Sequence, residues 1–246
     1  MTDTPSSRFK RARKTLLIGG GAVVVLAGLG YWAFPVPPAL SCGGVPEKGR
    51  CLFLGAPLQI AGTPVFLPPK QQAFFPTQAP LEFIDARGTV WIAPPNTLTD
   101  GATIPPYFEP LVGDRQSREY LLAAALHDAY CGIGNDALET FQTRPWPEVH
   151  RMFYEALLVN GTTPAKAKIM FAAVYLGGPR WNDPERSLDR VSVAALQQEL
   201  EWCLKWLDGA DPSVDRIEEW MRGREAALRN GTQAEPDWEA LFADRA

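Results

Sequence analysis

The sequence predicts an α+β chain: an N-terminal transmembrane helix, a small irregular antiparallel β-sheet, then a mainly helical bundle. Three observations predict it. No charged residue lies between Lys14 and Glu47. Residues 51–98 hold short apolar runs broken by prolines at 57, 64, 68, 69, 76 and 80, which disfavours helices there. From Ser117 onward, apolar residues recur at the helical period.

Inside the charge gap, Thr15 to Phe34 reads TLLIGGGAVVVLAGLGYWAF. At ~1.5 Å rise per residue this run spans a hydrocarbon core of ~30 Å. Its glycines weaken a helix in water but are common in membrane helices, where backbone bonding is enforced. Tyr31 and Trp32 stand where an aromatic belt would lie. Residues 1–14 carry five bases against one acid, whereas the remaining 232 residues carry 19 bases and 27 acids. The basic stub is expected to stay in the cytoplasm and the acidic bulk to be translocated. This predicts a single-pass protein of the inner (cytoplasmic) membrane, with its bulk in the periplasm or outside. A cleaved signal peptide is the alternative, but the run is long for one and Tyr-Trp-Ala-Phe-Pro is a poor small-residue cleavage site. A net charge of −4 and a pI near 5.3 argue against a nucleic-acid partner.

The elements after the anchor follow in order. Residues 35–50 are rich in Pro and Gly and read as a stalk. Cys42 and Cys51 bracket a turn-rich segment that would close as a disulfide loop in an oxidising compartment. Cys131 and Cys203 read as two buried free thiols, with a second bridge as the alternative. Leu81 to Ala93 reads as a hairpin around Asp85–Gly88, with Phe83 and Trp91 as strand residues. Ser117 is the expected cap of a helix over Arg118–Tyr130, whose LLAAAL stretch is apolar nearly all round and so should be buried. A loop over 132–145 leads to a second helix, Pro147–Asn160, with proline near its start and Gly161 as its stop. A third helix covers Pro164–Leu176. Residues 192–242 predict two or three amphipathic helices with Trp202, Trp206, Trp220 and Trp238 on their apolar sides. Residues 183–246 hold 15 acids and 8 bases and read as an acidic covering layer. The expected organisation is a stub (1–14), an anchor (15–34), a stalk (35–50), an α+β core (51–181) and an acidic helical extension (182–246).

The chemistry concentrates on the chain's two histidines. His127 stands beside Asp128 inside the buried helix. A buried carboxylate must be paired or bind a cation, so the dipeptide is either a structural polar network or a catalytic pair. His150 borders the apolar stripe of the next helix, close enough to reach the His127–Asp128 region if the two helices are neighbours. Thr99-Asp100-Gly-Ala-Thr103-Ile-Pro is a turn, with Thr103 bonding locally. Asp100, His127, Asp128 and His150 together suit Zn²⁺ with an open position for water, or a metal-free His/Asp general base, with Thr103 and Tyr130 as substrate or structural-network residues. His127-Asp128-Ala-Tyr130 is also weakly similar to the helical His-Asp-x-x-Tyr of secreted phospholipases A2, which bind Ca²⁺, although the Tyr comes one position early and the usual cysteine pairs are missing. Cys131, one turn past His127, is in place for a Cys-His arrangement, but nothing in the sequence activates it.

These motifs carry a resemblance. A hairpin, then Asp100-Gly-Ala-Thr-Ile-Pro105, then Ala124-Ala-Leu-His-Asp-Ala-Tyr130, looks like the phage- and bacteria-associated family catalogued as domain of unknown function 1353. Phe153-Tyr-Glu-Ala-Leu157, Gly161, Ala172-Ala-Val-Tyr175, Gly178 and Trp181 fit the same pattern, so the resemblance covers about residues 81–181. In that family the position of His150 is often an aspartate. The resemblance implies the domain and its polar cluster, and no particular reaction.

Two functions follow as expectations. One is a structural or accessory module of a cell-envelope or membrane-protein complex, with the membrane and an envelope protein as partners. The other is a metal- or His/Asp-dependent envelope hydrolase acting on a peptidoglycan amide or a lipid ester, with Zn²⁺ or Ca²⁺ as candidate ions and neither required.

Overall fold

The computed structural model describes residues 42, 50–69, 72–101 and 118–243. The predicted stub and anchor, most of the stalk, Thr103 and Ser117 lie outside the described residues. Among the described residues no helix is long and apolar enough to cross a membrane.

The proline-rich segment forms two small antiparallel sheets where the sequence predicts one. The strands are β1 (Leu52–Leu54), β2 (Val65–Phe66), β3 (Ala73–Pro76), β4 (Leu81–Ile84), β5 (Val90–Ala93) and β6 (Leu98–Thr99). One sheet has the order β1-β4-β5 and the other β2-β3-β6. The predicted hairpin is β4–β5, in the register Phe83↔Trp91. Asp85 holds its turn: Oδ1 accepts from the amides of Arg87 (2.9 Å) and Thr89 (2.8 Å), and Oδ2 from Trp91 Nε1 (2.9 Å). Gly88 supplies the left-handed residue of that turn, at φ +82°.

Among the described residues six helices follow: α1 (Leu121–Cys131), α2 (Trp146–Val159), α3 (Pro164–Gly177), α4 (Val193–Ala210), α5 (Val214–Asn230) and α6 (Trp238–Ala243). α1 starts three residues later than predicted. Tyr120 occupies its cap position and makes no side-chain cap bond. Thr163, Ser192 and Ser213 cap α3, α4 and α5 through their side chains, each accepting from the amide three residues on.

The layering explains the burial. α1 packs on β4, β5 and β6 and on α2; α2 packs on α3; α3 packs on α4 and α5. α1 is thus central, with Ala123 to Tyr130 all buried. The acidic C-terminal helices share that core through Leu196, Leu200, Cys203, Trp206, Ile217, Met221 and Leu228. Cys42, placed by the sequence in the stalk, is buried and bonded to Cys51.

Candidate functional site

His127 and Cys131 sit one turn apart on α1 and so project from the same face. His150 comes to them from α2. The two imidazoles lie with ring centroids 5.3 Å apart and planes inclined by 34°. Cys131 Sγ stands 3.4 Å from His127 Nε2 and 3.7 Å from Nδ1, and 3.4 Å from the His127 carbonyl oxygen. Among the described residues these three form the one group of His, Cys, Asp or Glu ligand atoms near enough to share an ion, all within 4.8 Å of one another. The two histidines therefore meet as the sequence expects. Asp100 and Asp128 are buried but are not members of this group, and Thr103 is not described.

Aromatic rings wall the site. Phe153 lies 5.0 Å from His127, and Trp146 5.5 Å from His150. Trp181 and Tyr175 meet His150 edge-on at 6.3 and 6.4 Å. Gly178 admits the ring: a Cβ there would stand 2.3 Å from the Val174 carbonyl oxygen and 3.1 Å from His150 Cε1. His150 is 0% exposed, and neither of its ring nitrogens has a hydrogen-bond partner among the described residues. Leaving a buried polar group so costs about 1–3 kcal/mol.

Burial favours the neutral form of all three groups. Burial lowers the pKa of His127 to about 4. Burial, then the charges of His127 and Arg180, pull His150 well below the ordinary histidine value. Burial, then the charge of Asp128, pushes the Cys131 thiol well up. A thiolate–imidazolium pair is thus doubly disfavoured, and a cysteine nucleophile of the peptidase type does not fit. Neutral imidazoles, by contrast, are the form that ligates a metal.

The remaining predicted residues serve as connectors. The Tyr130 hydroxyl accepts from the Ile92 amide (3.2 Å), and its ring meets Trp91 edge-on. Tyr130 therefore ties α1 to β5. Asn135, which the sequence did not single out, donates to the carbonyls of Asp128 (2.9 Å) and Leu98 (2.8 Å) and accepts from the Leu98 amide (2.8 Å). It pins β6, and with it Asp100, to the end of α1. The one advance signal was an Asn in a Gly-rich loop.

Arg180 and Arg186, also unforeseen, converge on buried Glu225 of α5. Arg180 reaches Glu225 Oε1 at 3.0 Å, and Arg186 grips both oxygens at 2.8 Å. Both guanidiniums lie over Trp146, at 4.5 and 4.6 Å from the ring centre. A cleft of about 640 Å³ opens beside them, lined by Arg180, Asn182, Asp183, Ser187, Arg190 and Arg229 among others. It includes neither histidine nor Cys131, so this cleft and the candidate chemistry do not coincide.

The comparisons with known proteins fall on the same segment. Residues 75–174 match the family "Protein of unknown function (DUF1353)", which bears out the resemblance read from the motifs. "Uncharacterized protein y4iH" of Sinorhizobium fredii (strain NBRC 101917 / NGR234) is 40% identical over 104 residues, 42% of this chain and 40% of the relative. "Uncharacterized protein y4jT" of the same organism is 34% identical over 138 residues, 56% of this chain and 38% of the relative. The chain thus spans about two fifths of the length of these curated relatives. No solved structure matches it. The match contains α1, α2 and nearly all of α3, hence all three residues of the cluster, but stops short of Arg180.

Proposed function

We propose, from the premise that residues 75–174 match the DUF1353 family, that this chain is an accessory module of a cell-envelope complex, tethered in the inner membrane by residues 15–34 and binding its partner outside the cytoplasm. One observation carries the reading: the outward face of the β1-β4-β5 sheet is aliphatic. Register and alternation put Leu52, Ile84 and Val90 in one row of that face, and Leu54, Glu82 and Ile92 in the next. Leu54, Val90 and Ile92 are 45%, 44% and 37% exposed. An antiparallel sheet facing water on one side normally alternates apolar with polar, so a face with a single charge among six positions favours a protein surface. The Cys42–Cys51 bond fits an exported domain, because such bonds persist in oxidising compartments.

The test uses the full chain in its membrane, with a photo-cross-linking residue at Val90. One discrete adduct is expected, lost when Leu54→Lys and Ile92→Lys are introduced together. A chain that forms no adduct, or that alkaline carbonate releases from the membrane, overturns the reading.

The convergence of His127 and His150 favours a second reading, an envelope hydrolase. It requires turnover of a peptidoglycan amide or lipid ester by the full chain and its loss in His127→Ala. Equal turnover by the two proteins sinks it.

A further inference from the structure

We propose that His127, Cys131 and His150 bind a single zinc-class divalent cation that ties α1 to α2. The inference rests on neither functional reading above: it concerns a ligand, not a partner or a reaction.

The geometry is the first support. Zinc bonds of ~2.0–2.3 Å to nitrogen and sulfur place tetrahedral ligand atoms ~3.4–3.6 Å apart. Cys131 Sγ and His127 Nε2 already stand 3.4 Å apart, and His150 completes a set whose members all lie within 4.8 Å of one another. Closing that spread takes a side-chain adjustment. The orphaned His150 is the second, independent support. A fully buried imidazole with both nitrogens unpartnered, beside two further ligand atoms, is a donor facing a place for an acceptor. Chemistry selects the ion class. Two nitrogens and a sulfur, with no oxygen, suit Zn²⁺ and discriminate against Ca²⁺ and Mg²⁺. The calcium expected from the phospholipase likeness therefore finds no oxygen cage in this group. Asp128 adds a negative charge near Cys131, and the positive charge of Arg180 near His150 is offset by its ion pair with Glu225. Three protein ligands leave one tetrahedral position for water or a fourth donor.

The full chain in detergent, stripped with a chelator and titrated with Co²⁺, tests this. One equivalent is expected to bind, to release the Cys131 thiol proton to solvent and to produce a thiolate-to-cobalt charge-transfer band, which Zn²⁺ then abolishes by displacing the Co²⁺. Cys131→Ser should lose the band, and Cys203→Ser, whose thiol is buried among the C-terminal helices, should keep it. Zn²⁺ should also slow alkylation of Cys131 in the wild-type chain, a readout that needs no variant to fold. A wild-type chain that gives no band and no protection, or a folded Cys131→Ser chain that binds as the wild type does, overturns the proposal.

Discussion

Two buried polar clusters both border Trp146. In one, Glu225 receives Arg180 and Arg186, and the two guanidiniums also bond the Tyr175 carbonyl (2.8 Å), the Arg186 carbonyl (2.7 Å) and the Tyr175 hydroxyl (2.8 Å). In the other, His150 bonds to no described residue. Both clusters are costly to bury. In the first the opposite charges answer one another, although Arg180 Nε has no hydrogen-bond partner among the described residues; in the second neither nitrogen of His150 has one. The contrast separates two meanings of buried polarity. A network whose charges answer one another is a device of the fold, here clamping the link after α3 onto α5. A donor left unanswered, as His150 is, marks where something outside the chain belongs. The comparisons run the same way: the open cluster lies wholly within the family segment, and the closed one draws its charged residues from beyond it.

The largest effect should come from breaking the closed cluster. Glu225→Ala strands two guanidiniums, one of them buried, and should cost about 3–5 kcal/mol, read by urea unfolding followed by tryptophan fluorescence. A loss under about 1 kcal/mol would mean that the arginines find water or other partners, and the contrast would collapse.

The open cluster should answer in the opposite sense. With chelator present, His150→Leu removes unanswered nitrogens at nearly constant volume and should stay within about 1 kcal/mol of the wild type or exceed it. With Zn²⁺ at a hundredfold excess over its Kd, the wild type should gain about 2.7 kcal/mol and the variant nothing. A large loss in chelator would show that His150 is already satisfied.

The sequence foretold this comparison unevenly, for physical reasons. α2 and α3 fall within a residue of expectation because Pro147, Gly161 and Pro164 punctuate them locally. The β4–β5 hairpin was legible because the Asp85–Gly88 turn is local too. The division into two sheets was not, since it rests on a pairing such as Phe75↔Thr99, far apart in the chain. His127 and His150 could be matched because each stands near the shared face of neighbouring helices. Cys131 could not be promoted to a ligand, because that depends on how far α2 rotates about its axis. The burial of Asp100 and Asp128 was legible, but whether they join the histidines was not, since that depends on the directions of their side chains. The Glu225 cluster left no advance sign, since Glu225 is dozens of residues from both arginines.

The smallest effect concerns Glu155, a buried carboxyl that belongs to neither cluster and tests whether burial alone is felt. Glu155 Oε2 accepts from the Ala86 amide (3.0 Å), and Oε1 lies 3.6 Å from Arg151 Nε. Cys42 Sγ approaches Oε2 to 3.4 Å, but a disulfide sulfur has no proton to give, so this is a contact and not a hydrogen bond. Burial outweighs the Ala86 amide and Arg151 and raises the Glu155 pKa above its ordinary value of 4.5. The sign follows from proton binding. As pH rises past 4.5 the unfolded chain releases its proton before the folded one does, so the contribution of Glu155 is fully present below that pH and declines as pH climbs through the folded value. Glu155→Gln keeps an acceptor for Ala86 and has no proton to lose. Thermal unfolding of the two proteins from pH 4 to pH 7 should therefore show the variant gaining on the wild type as pH rises. A difference that is flat with pH, or that runs the other way, would mean that Arg151 and the Ala86 amide compensate the carboxylate fully, and Glu155 would then count with Glu225 among the answered charges.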